Sequence, residues 1–162
     1  MKRVLFGTAL FSMLIGTAAI SFAQQRKLTA DDYMEIQQLY AKYNTAIDSG
    51  DGEGYAATFT PDGVFNTFSG HDALVGFIKR WRESMGGAAR RHWNNNLVLT
   101  PTAEGANGTV YLFLMDISAK PPAIQTVAKY EDQLVKTADG WRFKHRATKA
   151  DAAPAPAPAP AK

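Results

Sequence analysis

The chain has 162 residues, 18 Lys and Arg against 15 Asp and Glu, three His and a formal net charge of +3. That length is one domain's worth of protein, and so even a charge balance excludes the basic footprint of a nucleic-acid-binding module. Cysteine is absent, which excludes thiol catalysis, iron–sulfur clusters, Cys-based zinc sites and disulfide staples, so the fold stands on its hydrophobic core.

Residues 1–23 begin with Lys2 and Arg3, continue as an apolar run from Val4 and end in Ser21-Phe22-Ala23. A charged start, an apolar middle and small residues at −3 and −1 predict a secretory signal cut after Ala23, hence an exported, periplasmic or secreted protein. A retained membrane anchor is the rival reading, but Gly7, Thr8, Ser12, Gly16 and Thr17 interrupt the run. After cleavage no membrane span is expected. Losing Lys2 and Arg3 lowers the net charge from +3 to +1. Residues 152–162 are an Ala-Pro repeat, in which proline blocks both helix and ladder pairing. The repeat reads as an extended tail of about 3.1 Å per residue, either a spacer or a disordered end. The folded domain is therefore expected at 24–151.

Within it, Thr29 followed by Asp32 is a capping-box start. Tyr33, Ile36, Tyr40, Tyr43 and Ile47 then recur at helical spacing up to the stop at Gly50. Asp48 falls in the last turn, where the helix dipole disfavours an acid, so it needs another reason to be there. A short second helix is expected over 53–59, a turn at Thr60-Pro61-Asp62-Gly63 and a strand over 64–68. A third helix is expected from about Gly70 to Met85, with Leu74, Phe77, Ile78 and Trp81 on one face. From Arg90 the period becomes 2, giving strands near 90–100, 106–118, 123–136 and 140–149 with a hairpin at Asp139-Gly140. Helices first and antiparallel strands after predict an α+β domain with the helices on one face of a curved sheet.

Period 2 through the first long strand puts His92, Asn94, Asn96 and Val98 on one face, and Trp93, Asn95, Leu97 and Leu99 on the other. The polar face either meets solvent or lines a cavity. The apolar row suits a sheet-to-sheet homodimer. On the last strand the same period groups Trp141, Phe143, His145 and Ala147 against Arg142, Lys144 and Arg146, which makes Arg146 and Asp132 a sheet-surface ion pair.

Four stretches resemble the SnoaL-like branch of the NTF2-like superfamily. They are Ile36 to Tyr43 with Ala46 to Asp51, Phe59-Thr60-Pro61-Asp62-Gly63-Val64-Phe65, Arg91-His92 through Asn96, and Tyr130 to Val135 with Gly140 to Phe143. The resemblance covers residues 28–149 and implies a cone of three helices closed by a bent sheet. Against the scytalone-dehydratase pattern in that superfamily, Asp48 and His92 match an acid–base pair. The chain departs from the pattern at Ile47, where the dehydratase has Tyr, and in having no second His between Thr109 and Ser118.

The resemblance and the polar strand face together point to a small-molecule site. Asp48 and His92 are the candidate catalytic pair, and Tyr40, Tyr43, Asn94, Asn96 and Trp81 the candidate substrate-binding residues, with core packing as the alternative for Trp81. Such a site suits proton abstraction beside a carbonyl, followed by loss of water or double-bond migration, with no cofactor. The other reading has Asp48 cap a turn and His92 rest as a satisfied polar group, leaving a non-catalytic binding or envelope interaction module. His71, His92 and His145 show no metal-ligand spacing, so no metal site is expected.

Overall fold

The computed structural model describes residues 27–150, so the expected signal and the Ala-Pro tail lie outside the described residues. The first helix, α1 (Ala30–Ser49), starts where the capping residues place it. The Asp32 amide donates to Thr29 Oγ1 at 3.1 Å, and the Thr29 amide donates to Asp32 Oδ2 at 2.9 Å. Gly50 ends the helix at φ 75°, a conformation glycine adopts without strain. Asp32 also accepts from Lys136 Nζ at 2.8 Å and Trp141 Nε1 at 2.9 Å, so the helix start is pinned to the far end of the sheet. Tyr33 lies outside the buried stripe, which runs through Ile36, Leu39, Tyr40, Tyr43, Ala46 and Ile47.

The second helix, α2 (Gly52–Ala56), is shorter than expected because Phe59 already belongs to β1 (Phe59–Phe65). The expected turn at Thr60-Pro61-Asp62-Gly63 is instead an irregularity inside β1, whose register against the last strand shifts between Phe59 and Val64. Pro61 has no N–H to give to a ladder, and a bulge supplies a position that needs none. A two-residue strand, β2 (Phe68–Ser69), and helix α3 (His71–Ser84) follow. The sheet is then completed by β3 (Arg90–Pro101), β4 (Gly105–Asp116), β5 (Ala123–Thr137) and β6 (Gly140–Ala150). Strand order is β2-β1-β6-β5-β4-β3, antiparallel except for the β1–β6 pair. The helices cover one face of this six-stranded sheet, which makes the domain α+β and leaves β3 on a free edge.

Two bulges change which residues face the core. In β3 the register against β4 shifts between Asn95 and Val98, and Asn96 sits at φ 57°. His92 before the bulge and Leu99 after it are both buried, while Trp93 and Val98 are both exposed. The outward row expected from strict alternation is therefore wrong for Leu97 and Leu99: the extra residue turns them inward and Val98 outward. In β6, Leu134 pairs with Phe143 and Gln133 with His145, so Lys144 is the extra residue. Phe143 and Arg146 then both point inward. Arg146 is fully buried and Asp132 nearly so, not a surface pair. The outer face keeps an apolar patch of Trp93, Val98, Tyr111, Ile124 and Val127.

Candidate functional site

Asp48 is the penultimate residue of α1, and His92 is the third residue of β3. The helix crosses the free edge of the sheet, so its C-terminal turn meets the start of the edge strand. His92 Nδ1 lies 2.6 Å from Asp48 Oδ1, and the His92 main-chain N–H, with no strand beyond it, donates to both carboxylate oxygens at 3.2 Å. The side chains are 4% and 10% exposed. That double engagement is why an acid stands at the unfavourable end of a helix dipole. A carboxylate accepting Nδ1–H fixes the imidazole tautomer and leaves Nε2 as the nitrogen free to exchange protons with a ligand. The Trp81 ring, from α3, packs against the imidazole with centroids 5.9 Å apart, and the Arg90 guanidinium lies 5.6 Å from the centroid of the Trp81 ring.

Four polar atoms near this pair are buried without a partner: Asn44 Oδ1, Trp81 Nε1, Arg90 Nε and Asn94 Oδ1. Asn44 is one helical turn before Asp48, and Arg90 and Asn94 flank His92 on its own strand face. Buried groups of this kind find partners in almost every folded protein, so each of these atoms has a hydrogen bond left for water or a ligand. Asn44 escaped the sequence reading, although its i−4 spacing from Asp48 was the signal that could have found it.

Trp81 thus lies with the Asp48–His92 pair, while Asn94 lines a groove between α1 and β3 and the two tyrosines serve the core. The Tyr40 hydroxyl donates to Asp132 Oδ2, and the Tyr43 hydroxyl accepts from Tyr55 at 3.2 Å. Both rings wall a cage around Arg146. Its guanidinium carbon is 4.5 Å from the Tyr40 ring, 4.2 Å from Tyr43 and Tyr130, and 4.0 Å from Phe143. Asp132 closes the cage with paired contacts of 2.7 and 2.8 Å to Nε and Nη2. Burial pushes the Tyr40 and Tyr43 phenols far above their ordinary value, so at neutral pH neither exists as phenolate. They hold the middle of the cone rather than the dyad. Asn96 is exposed on the bulge and lines a groove between α1 and β3.

His71 stands apart, exposed between Glu53 and Asp72 at 2.9 Å each, and those carboxylates raise its pKa. His145 lies opposite Gln133 in the sheet. Among the described residues no group of three or more His, Asp or Glu is placed to hold a metal ion, and no helix is long and apolar enough to cross a membrane. A cleft of about 390 Å³ lined by Asp48, Arg82, Met85 and Arg91 reaches the carboxylate. A depression of about 1040 Å³ lies along the exposed side of α1 and the β5–β6 turn, and neither Asp48 nor His92 lines it.

Comparison with known proteins places this geometry in context. The profile of the SnoaL-like domain matches residues 28–147. The uncharacterized protein Rv2910c of Mycobacterium tuberculosis is 29% identical over 121 residues, covering 71% of this chain and 82% of the relative. Among solved structures, ActVI-ORFA from Streptomyces coelicolor is similar, with a TM-score of 0.69 and 25% identity over 76% of this chain and 98% of that one. A Catenulispora acidiphila protein solved in complex with S-DNPA superposes with a TM-score of 0.65. It is 27% identical over 74% of this chain and 95% of that one.

Proposed function

Because the chain belongs to the SnoaL-like domain family, we propose that it is an exported small-molecule domain whose Asp48–His92 pair performs acid–base chemistry of the dehydratase or isomerase type without a cofactor. The observation that carries this reading is the buried 2.6 Å contact between His92 Nδ1 and Asp48 Oδ1. His92 Nε2 takes a proton from the carbon beside a substrate carbonyl, and the electron pair moves toward the carbonyl oxygen. The imidazolium, held by Asp48, then returns the proton. Returned to a β-hydroxyl, it releases water; returned to another carbon, it moves the double bond. Trp81 Nε1 supplies a polar contact to orient the substrate, and it has an unmade hydrogen bond with which to do so. The similar Catenulispora structure, solved in complex with S-DNPA, supports a ligand site on this fold.

The test is hydrogen–deuterium exchange into β-hydroxy ketones in D₂O, followed by NMR, which detects proton abstraction even when elimination stalls. Exchange is expected with the wild type and should fall by roughly 10²–10⁴-fold in His92→Gln, the usual range for general-base loss. Compounds that bind beside His92 without exchanging would refute catalysis.

That outcome would favour the second reading, a non-catalytic binding module. The observation behind it is the Arg146 cage, which fills the cone with Tyr40 and Tyr43 and leaves the dyad few acid partners. In either case the exposed Trp93, Val98, Tyr111 and Val127 form the face of a homodimer. An intact mass of exported material starting at Gln24 is the expected mark of signal cleavage.

A further inference from the structure

The groove between α1 and β3 has a chemistry of its own. It encloses about 370 Å³ and is lined by Gln37, Tyr40, Ala41, Asn44, Asn94, Asn95, Asn96, Leu97 and Val110. Five of those nine are amides, and none carries a charge. A carboxamide offers a donor and an acceptor at once, whereas a site for an anion or cation would present an opposite charge.

Two of the amides are also incompletely bonded. Asn94 Nδ2 donates to the Tyr111 carbonyl at 3.3 Å, which fixes the side chain and leaves Oδ1 buried without a donor. Asn44 Oδ1 is likewise buried and unpaired. Turning the Asn44 amide over would put its NH₂ in the same buried position, so the deficit does not depend on which end is oxygen. Each orphan acceptor calls for an O–H or N–H from outside the protein. The Tyr40 hydroxyl is committed to Asp132, so along this groove Tyr40 offers ring surface. The adjacent Gly108 leaves no room for a side chain, since a Cβ there would stand 2.6 Å from the Tyr40 hydroxyl.

From these features we infer that the α1–β3 groove is a binding site for a neutral, hydroxyl-rich small molecule of the saccharide or polyol class, held by Asn44 and Asn94. The volume is at the lower end of the roughly 300–1,000 Å³ typical of small-molecule sites and suits a ligand of one ring. Neither Asp48 nor His92 lines the groove, so this inference stands or falls apart from the acid–base reading.

An asparagine kept for a ligand has an unusual effect on stability. If Asn44 served the fold, removing it would destabilise the protein. If its unpaired oxygen is retained for a ligand, Asn44→Ala removes a buried, unsatisfied group and leaves the melting temperature unchanged or higher. The experiment titrates ¹⁵N-labelled protein with a panel of neutral probes: methyl glucopyranoside, methyl galactopyranoside, xylose and myo-inositol. Sodium acetate and tetramethylammonium chloride serve as charged controls. At least one neutral probe is expected to give saturable shifts at the Asn44 and Asn94 side-chain amides and along residues 94–97. Affinity should fall about tenfold or more in Asn44→Ala, the loss of one or two hydrogen bonds, with the melting temperature maintained. No saturable shift from any neutral probe, equal shifts from acetate, shifts centred elsewhere, or an unweakened Asn44→Ala would each overturn the inference. Should Asn44→Ala lower the melting temperature, Asn44→Leu decides. It keeps about the size and removes the acceptor, and persistence of neutral-probe binding at full strength in it would equally overturn the assignment.

Discussion

Replacing Arg146 with methionine tests how the centre of the cone is held. The side chain is fully buried, and its charge meets one carboxylate and four aromatic rings. Burial works against the charged form, but the Asp132 carboxylate and its hydrogen bonds outweigh it and raise the Arg146 pKa further. In Arg146→Met the Asp132 carboxylate stays buried with Tyr40 as its remaining donor, a cost of about 3–5 kcal/mol. Asp132→Leu strands the guanidinium and the Tyr40 hydroxyl, with a cost in the same range. Against a total of about 5–15 kcal/mol for a domain of this size, each single change removes a large share of stability. The double change leaves neither charge behind. It should cost less than either single, against roughly 6–10 kcal/mol for the two singles added together, because most of each single loss is the partner's unpaired charge. Urea unfolding followed by tryptophan fluorescence reads all three variants. A double variant whose loss equals the sum of the singles would refute the pairing argument. So would a single loss below about 1 kcal/mol, because the charge would then be reaching water.

Further expectations follow from the two ends of α1 and from the sheet face. Lys136 first, with Thr29 and Trp141, holds the Asp32 carboxyl well below the usual carboxylate range. A depressed folded-state pKa means a contribution that is complete above pH ~4 and lost as pH falls through the folded value. Urea midpoints measured from pH 6 to pH 2 should therefore drop for wild type and drop less for Asp32→Asn, and parallel curves would exclude the linkage. Asp32→Asn should itself lose about 1–3 kcal/mol at neutral pH, through weakened capping and the lost Lys136 pair. At the other end, Asp48→Ala takes away the acceptor for the His92 amide on the free sheet edge. Its hydrogen exchange should quicken by roughly tenfold or more while amides of the central strand β5 keep their rates; unchanged protection would mean the contact does not persist in solution. Trp93→Glu on the outer face should convert a dimer to a monomer in analytical ultracentrifugation, and a wild type already monomeric would remove the dimer proposal.

The helices were legible because their signals are local. Thr29 and Asp32 announce a start, Gly50 an end, and the spacing of Ile36, Tyr40, Tyr43 and Ile47 a face. Asp48 was legible as an anomaly, an acid where the dipole opposes one, and the structure supplies its partner across 44 residues of chain. What alternation missed were the bulges. An extra residue leaves the sequence pattern on each side intact and changes only the phase between them, so Leu97, Leu99 and Arg146 were all assigned to the wrong face. Asn96 carried a hint, because asparagine tolerates positive φ better than most residues. Lys144 carried none. The misplacement of Arg146 also hid the reason for the tyrosines, whose hydroxyls and rings serve the buried charge. The turn assigned at Pro61 failed differently: its composition describes a local bend correctly, and only pairing with β6 reveals that the bend sits inside a strand.

The Asn96 bulge acts on β3 much as a frameshift acts on a message. Upstream, the inward positions spell Arg90, His92 and Asn94; downstream they spell Leu97 and Leu99. One strand therefore carries two independent vocabularies, polar at the site and apolar in the core, joined at a single residue. Substitutions can rewrite the site words without touching the core words. Flattening the bulge while keeping Asn96 would set both halves in one frame, exposing the leucines and burying Val98 and Thr100, whereas deleting Asn96 would leave a regular ladder with both faces intact. What the bulge protects is thus the phase between the halves, and the chemistry of the cavity is free to change through the first half of the strand alone.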